Sequence, residues 1–284
     1  MGEEFWEKRK ELFLHKLVYH INKYQLDVDN DRVLVVGASI ADYNILIRAG
    51  FKNITLSNLA TALPEELNQE NNINNLVIDA ENIHLSDQSY DVVFAVEVLH
   101  HCRSPHRCLC EMMRTAKKYV IFLEPNDSLL MSLLIKFGLS FPYELPAVVG
   151  NNYIKGGVRD SCVPNYIYRW NRHEVFKSAS AYLAENEINL SCYSYWDLAL
   201  DEERLLERDQ TKLVGIANIV GPKNFLNLLK VFEAIVNKIP LIKTQGNKFC
   251  CIISKTNQLH PWLTGSDNLI KYNQEFGRKT KKKF

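Results

Sequence analysis

Ionisable and amide side chains follow the apolar runs of this sequence at points where strands would end. They are Asp79, His100, His101, Glu124 and Asn126. A carboxylate in such a position can accept a hydrogen bond from an exocyclic amine, and an imidazole, whose ordinary pKa is about 6.5, can take a proton from a hydroxyl or an amine. These residue types predict a ligand site in which a proton is removed from a bound acceptor.

Hydropathy predicts the elements that must position these side chains. From Arg32 onward, short β-branched runs alternate with helical stretches, and the runs are apolar at nearly every position, as in a parallel sheet covered on both faces. The expected strands are 33–36, 53–56, 75–78, 91–96, 119–123, 188–196 and 247–255. The expected helices are 41–50, 107–116, 172–183, 202–208 and 224–236. Because ligands bind at the carboxyl edge of such a sheet, the polar residues should converge there.

The stretch VIDAENIHLSDQSYDVVFAVEVLHHC (77–102) carries a specific pattern. A strand ends in Asp-Ala, a short apolar turn and a Ser-Tyr-Asp step follow, and the next strand leads into an apolar helix start with two histidines. In this pattern the chain resembles the class I S-adenosylmethionine-dependent methyltransferases, over roughly 32–125 and the last strand. The resemblance implies an α/β fold with a Rossmann-like, doubly wound sheet of seven strands, mostly parallel with an antiparallel last strand, plus a helical and aromatic cap insertion.

The resemblance also implies S-adenosylmethionine as cofactor and a set of residues that hold it. These are Gly37, Ala38, Ser39, Asp42, Ser57, Asn58, Asp79, Ala80 and Glu97. Some positions depart from the family pattern. Ser39 stands where a glycine is usual, and Asp42 could replace a carboxylate that is missing at Val35. Ser57 or Asn58 must hold the ribose with neutral hydrogen bonds, which are weaker than those of the usual acid.

Several of these residues have simpler structural explanations, which the sequence leaves open. Asp79 could cap the following turn, and Ser57 and Asn58 could cap the next helix. His100 or His101 is the expected catalytic base, but one histidine could equally cap a helix while the other packs in the core.

The methyl acceptor is expected to be a small molecule, and aromatic residues in the insertion favour a saccharide or a secondary metabolite. The attacking atom is expected to be oxygen or nitrogen. Residues expected to bind the acceptor are Glu124, Asn126, Tyr153, Tyr168 and Trp170.

The chain is expected to divide into three parts. These are an N-terminal helical cap at 1–30, a methyltransferase domain at 31–256 and a C-terminal tail at 257–284. Insertions at about 125–170 and 198–245 are expected to interrupt the domain.

Composition and charge argue against several functional classes. The formal net charge of +1 provides no global attraction for nucleic acid. The most apolar stretch, 129–150, is interrupted by charged residues and prolines, so no membrane span is expected. Seven cysteines without a secretory signal favour a reduced, cytoplasmic compartment. No metal site is expected, because Cys108 and Cys110 would lie about 200° apart around a helix. A homodimer is compatible with this composition.

Three functional hypotheses follow. The first is methyl transfer from S-adenosylmethionine to a small molecule. The second is a methyltransferase-like binding or regulatory subunit without catalysis, suggested by the altered glycine-rich loop and the missing ribose acid. The third, a nicotinamide-dependent oxidoreductase, is disfavoured because no G-x-G-x-x-G follows the first strand.

Overall fold

A computed structural model of the chain places the expected sheet at the centre of the molecule. The structure describes residues 13, 17–19, 21–24, 26–59, 74–185, 187–198, 202, 205, 211–256, 258–265 and 269–276. The expected helix at 202–208 and the terminal RKTKKKF therefore lie largely or wholly outside the described residues.

The sheet has seven strands in the order β3-β2-β1-β4-β5-β7-β6. They are β1 (Arg32–Val36), β2 (Asn53–Asn58), β3 (Asn74–Val77), β4 (Tyr90–Val96), β5 (Ala116–Pro125), β6 (Asn189–Tyr195) and β7 (Lys248–Ser254). The first five strands are mutually parallel, and β7 is antiparallel to both of its neighbours. The predicted doubly wound, mostly parallel sheet with an antiparallel last strand is confirmed.

The described helices lie against this sheet or in its insertions. They are α1 (Ile40–Arg48), α2 (Pro105–Thr115), α3 (Leu129–Lys136), α4 (Leu145–Gly150), α5 (Arg172–Tyr182), α6 (Lys212–Val220), α7 (Pro222–Val236) and α8 (Pro240–Lys243). Side-chain caps begin several of them: Ser104 precedes Pro105 and accepts a hydrogen bond from the amide of Arg107, and Ser128 does the same for Met131.

Alternate side chains of the central strands β1, β4, β5 and β7 enter two separate apolar layers. Val35 of β1 packs on one face of the sheet with Phe13 from the N-terminal segment. Leu34 packs on the other face with Met112 of α2. Both layers are closed to solvent, which explains why the strands are apolar at nearly every position.

The two insertions contain short elements on the carboxyl side of the sheet. The first holds α3, α4 and a 3-10 turn at Val158–Asp160, and the second holds α6, α7 and α8. Beyond β7, two residue pairs form a small antiparallel ribbon between β8 (Leu263–Thr264) and β9 (Lys271–Tyr272). Within the described part of the chain, no helix combines the length and apolarity needed to cross a bilayer.

Gly37 follows β1 at φ +65°, and a Cβ there would lie 2.5 Å from Cγ2 of Val98. Gly50 also has a positive φ, +100°, but its nearest atom would be 3.5 Å away on Val28. Both alanine substitutions strain the backbone, and only the first also overpacks a neighbour. We therefore expect Gly37→Ala to lower the free energy of unfolding by about 1–3 kcal/mol more than Gly50→Ala.

Urea denaturation of both variants tests this expectation. Equal losses would show that the contact between Gly37 and Val98 places no constraint on the loop.

Candidate functional site

The carboxyl edge of the sheet encloses a cleft of about 230 Å³ between the ends of the first strands and the first insertion. Five of the predicted cofactor residues line this cleft: Gly37, Asn58, Asp79, Ala80 and Glu97. Each stands at or just beyond the end of a parallel strand, so the sheet topology alone brings them together. We call this cavity the cofactor cleft.

The other predicted cofactor residues hold the shape of the loop after β1. Ser39 caps α1 by accepting the amide of Asp42, and the Asp42 carboxylate accepts the amide of Ser39 at 2.9 Å. Ser57 is fully buried and donates its hydroxyl to the carbonyl of Val35 at 2.8 Å. Ala38 is also buried. None of these four predicted residues lines the cofactor cleft.

Asn58 ties the end of β2 to the same loop. Its Nδ2 donates to the carbonyl of Ala38 at 3.0 Å, and its Oδ1 accepts the amide of Leu59 at 2.8 Å. The amide side chain therefore stands in the wall of the cleft with both of its polar atoms already engaged by the backbone.

Asp79 is paired with an arginine from the first insertion. Its Oδ1 accepts the amide of Glu81 at 3.0 Å, and its Oδ2 lies 2.7 Å from Nη2 of Arg159. Arg159 has φ +52° within its 3-10 turn, and it also lines the cofactor cleft. The carboxylate oxygen that could accept an adenine amine is already paired with a guanidinium, so a ligand amine bound there would compete with Arg159 for this oxygen.

A fully buried carboxylate organises the turn after β4. Oε1 of Glu124 accepts the amides of Val98 and Leu99 at 2.7 and 2.8 Å, and Oε2 lies 2.6 Å from Nδ1 of His100. These amides open the 3-10 turn Leu99–His101 and have no partner within it. Glu124, predicted to bind the acceptor, therefore fixes the backbone that carries both histidines.

Glu144, from the first insertion, completes the cluster. Its Oε2 lies 3.3 Å from Nε2 of His100 and 3.4 Å from Nε2 of His101, and it accepts a hydrogen bond from Nδ2 of Asn165 at 3.1 Å. Nδ1 of His101 lies 3.4 Å from the carbonyl of Gly157. Three residues of the site were not predicted from the sequence: Glu144, Asn165 and Arg159. Nothing in their local sequence distinguishes them from other polar residues of a loop.

The two histidines differ in charge. Burial would lower the pKa of His100, but the carboxylates of Glu124 and Glu144 outweigh it and raise that pKa well above its usual 6.5. Burial and the positive charge of His100 lower the pKa of His101. Burial would raise the pKa of Glu144, but hydrogen bonding to His100 and the charges of both histidines lower it to about 2. At neutral pH the cluster thus holds a charged His100 and a neutral His101.

His100, His101 and Glu144 also present potential metal-ligand atoms that all lie within 4.8 Å of one another. The sequence did not predict this grouping, because Glu144 is distant from the two histidines in the chain. Hydrogen bonds account for the grouping, since Glu144 already accepts from Asn165 and His100 is held by Glu124.

A second cavity of about 370 Å³ lies beside the histidine cluster and has mainly apolar walls. Its apolar lining includes Leu130, Met131, Leu134, Phe141, Trp196, Leu213, Leu229 and Phe232. Ionisable groups also line it: Glu97, His100, Glu144, Arg169, Asp197 and Lys248. This size and this mixture of apolar walls with a few polar groups are typical of small-molecule sites. We call it the apolar cavity.

Glu97 lines both cavities, so they meet at this residue. Glu97 has φ +55°, an uncommon backbone conformation for a residue with a side chain, and its amide donates to Leu123 at 2.8 Å. Its carboxylate is paired with the ammonium of Lys248 on β7. The sharp turn at the end of β4 therefore places a carboxylate between the two cavities.

The remaining residues predicted to bind the acceptor line neither cavity. Asn126 is buried and donates to the carbonyls of Thr244 and Gly246. Tyr168 contacts Glu174, Trp170 is fully buried, and Tyr153 is exposed. Trp170 packs in the core with residues of the sheet.

Comparison with known proteins agrees with the fold. Residues 36–123 match a family model described as a methyltransferase domain, and this range includes the five predicted residues of the cofactor cleft. No curated protein matches the sequence.

Similar solved structures include a methyltransferase from Mesorhizobium loti described as S-adenosylmethionine dependent. It is 8% identical, with 87% of this chain and 98% of that chain covered and a TM-score of 0.49. A SAM dependent methyltransferase from Archaeoglobus fulgidus is 13% identical, with 85% and 94% covered and a TM-score of 0.45. Phosphoethanolamine N-methyltransferase 2 from Haemonchus contortus is 12% identical, with 85% and 52% covered and a TM-score of 0.47.

The pairing of Arg159 with Asp79 predicts a competition that binding measurements can detect. Replacing the arginine releases a partly exposed ion pair worth about 0.2–1 kcal/mol, so Arg159→Gln should bind S-adenosylmethionine up to about fivefold more tightly. If Asp79 accepts the adenine amine as predicted, Asp79→Ala should weaken binding by about 1–3 kcal/mol, because that hydrogen bond is lost.

Calorimetric titration of both variants measures the effects, and Arg103→Gln, an exposed arginine outside the cleft, is the matched control. Weaker binding by Arg159→Gln would contradict the competition and assign the guanidinium a direct contact with the cofactor.

Proposed function

We propose that the chain is a class I S-adenosylmethionine-dependent methyltransferase and that it methylates an oxygen or a nitrogen of a small molecule bound in the apolar cavity. The observation that carries this proposal is the meeting of two different cavities at Glu97, beside a neutral histidine. One cavity carries the residues predicted for the cofactor, and the other has the walls of a small-molecule site.

The residues present fit S-adenosylmethionine. When bound, this cofactor supplies a methyl group on a sulfonium, which is already a strong electrophile. Gly37 lets the backbone approach closely at the end of β1, since its positive φ and the nearby Val98 leave no room for a side chain. Asp79 and Ala80 offer a carboxylate and a backbone amide at the end of β3, and Asn58 stands at the end of β2.

The volume of the apolar cavity, about 370 Å³, favours a small acceptor over a macromolecule. Because its walls are largely leucine, phenylalanine and tryptophan, they favour a secondary metabolite with an apolar body over a bare saccharide. Charged groups in the lining of the apolar cavity, including Arg169 and Lys248, would orient the polar end of the acceptor toward Glu97.

His101 is the better candidate for the catalytic base. Burial and the neighbouring His100 lower its pKa, so it is neutral and able to take a proton at physiological pH. Its Nδ1 lies 3.4 Å from the carbonyl of Gly157, an acceptor, so in the neutral ring Nδ1 carries the hydrogen and Nε2, 3.4 Å from Glu144, has the lone pair that can take a proton from an acceptor. After proton transfer, Glu144 would stabilise the imidazolium.

His100 has a positioning role in this scheme. Its imidazolium lies between Glu124 and Glu144 and is nearly inaccessible to solvent. A group that is already protonated cannot act as a base, but its charge keeps the neighbouring His101 neutral.

A second candidate function, a binding subunit without catalysis, is favoured by one observation. Ser57 is buried, and both polar atoms of Asn58 are engaged, so the residues that the structure describes at the end of β2 offer no carboxylate for the ribose. A protein that cannot bind the cofactor could not perform the transfer.

Calorimetric titration with S-adenosylmethionine, S-adenosylhomocysteine and NAD tests the proposed function first. We expect micromolar binding of the first two compounds and none of NAD, since the cleft has the methyltransferase arrangement and lacks the dinucleotide loop. Absence of binding by all three would favour the binding subunit.

Replacement of His101 tests the base. An acceptor is first selected by transfer of a tritiated methyl group from S-adenosylmethionine to hydroxylated and aminated apolar compounds. With that acceptor, His101→Gln should lower kcat about 10²–10⁴-fold. Because the pKa of His101 is lowered, kcat/KM of the native enzyme should stay constant near neutrality and fall as pH drops below 6.5, where the base becomes protonated.

The variant should lose this acid limb and retain its affinity for S-adenosylmethionine. His106→Gln, which changes a histidine outside both cavities, is the matched control. An unchanged kcat in His101→Gln would remove the residue from the reaction.

A further inference from the structure

The outer surface of the insertion helices is unusually apolar. One side of α3, continued by the residue that ends it, is apolar at every fourth position: Leu129, Leu133 and Phe137. All three side chains are exposed, Leu129 to 73%. In a helix that only covers a core, these positions would carry polar residues.

The neighbouring helices continue this surface. Leu228, Val231 and Ile235 form a stripe along α7, each of them more than half exposed. Ile219 at the end of α6 is 87% exposed, and Leu241 on α8 is 83% exposed. We call the surface formed by these five residues and the α3 stripe the cap face.

The helices of the cap face form one unit with the apolar cavity behind them. The amide of Lys212, at the start of α6, donates to the carbonyl of Gly138 after α3 at 2.9 Å. Leu134, Leu213 and Leu229 point from α3, α6 and α7 into the apolar cavity. These helices are therefore apolar on two sides, and one of those sides faces solvent.

Phe232 connects the two sides. It lines the apolar cavity and is 44% exposed on the outer surface of α7. A ligand with an extended apolar chain could thus pass from the cap face into the cavity without crossing a polar barrier at this residue.

The described helices of the cap face carry mainly positive charge, although the exposed acid Glu202 lies in the segment just before α6. Exposed lysines flank the apolar stripes: Lys136, Lys212, Lys223, Lys230 and Lys238. In the four described helices α3, α6, α7 and α8, the single acidic residue is Glu233, which is partly buried and accepts the amide of Leu198 at 2.6 Å. Because the whole chain is nearly neutral, this excess is local.

Exposed apolar stripes bordered by lysines suit one kind of partner. Apolar side chains can enter the boundary between lipid headgroups and acyl chains, while lysines remain at the level of anionic headgroups. We propose that the cap face docks on an anionic lipid surface, and that the apolar cavity takes from it an amphiphile with an apolar chain. The second half rests on the proposed function, since it names the class of acceptor.

The docking half can be tested without cofactor or acceptor. The full chain is sedimented with vesicles of phosphatidylcholine alone or mixed with phosphatidylglycerol. We expect partition into the anionic vesicles to be about tenfold stronger and to weaken as salt is raised. The triple variant Leu228→Gln, Val231→Gln, Ile235→Gln should reduce partition about tenfold, because these side chains lose their transfer from water.

Two further variants separate the contribution of the lysines from that of the apolar side chains. Lys223→Gln with Lys230→Gln should reduce the preference for anionic vesicles. Ile47→Gln, a matched change of a half-exposed residue on α1, should leave partition unchanged.

Two results would overturn the docking half. One is absence of partition into either vesicle by a protein that still binds S-adenosylmethionine. The other is a dimer in sedimentation equilibrium that the triple variant converts to a monomer, without any partition, because a second copy would then cover the cap face.

The cavity half is tested by titration with 11-(dansylamino)undecanoic acid, which reports burial of its chain by fluorescence. Leu134→Asn, at a wall of the cavity, should weaken binding about tenfold, while Leu133→Asn, exposed on the adjoining position of α3, should leave it unchanged. Absence of binding, or equal effects of both variants, would overturn the proposed acceptor class and leave cofactor binding unaffected.

Discussion

The site depends on the hydrogen bonds made by the buried carboxylate of Glu124. It accepts two backbone amides at the start of the turn after β4 and bonds the ring of His100. Removing it would leave these groups buried without partners, at a cost of about 1–3 kcal/mol each. Because the turn is held in this way, Glu97 has a defined position between the two cavities, and His101 has a defined position in the wall of the cofactor cleft.

The first insertion contributes residues to the lining of both cavities. Arg159 pairs with Asp79 in the cofactor cleft, and Glu144 contacts both histidines beside the apolar cavity. Gly157, two residues before Arg159, contacts His101 through its carbonyl. Displacement of Arg159 by a cofactor would therefore act on the segment that also orients the base, which couples the two sides of the site through a short stretch of chain.

Much of the fold could be predicted from the sequence, since it depends on local patterns. Apolar runs of strand length, caps such as Ser104 with Pro105, and the Asp-Ala step at Asp79 are visible within a few residues of one another. The residues that end parallel strands converge by topology alone, so Gly37, Asn58, Asp79, Ala80 and Glu97 meet as expected. Trp170 has the residue type of a binding-site aromatic, yet it packs in the core.

The sequence by itself determined the strands of the sheet and the strand ends that carry the predicted cofactor residues. Only the tertiary structure decided the partner of Asp79 and the different charges of His100 and His101. It also decided that Ser57 is buried and that Glu144 belongs to the site. The physical reason is range: hydropathy and capping act over a few residues, whereas burial and charge depend on neighbours that the fold brings from distant parts of the chain.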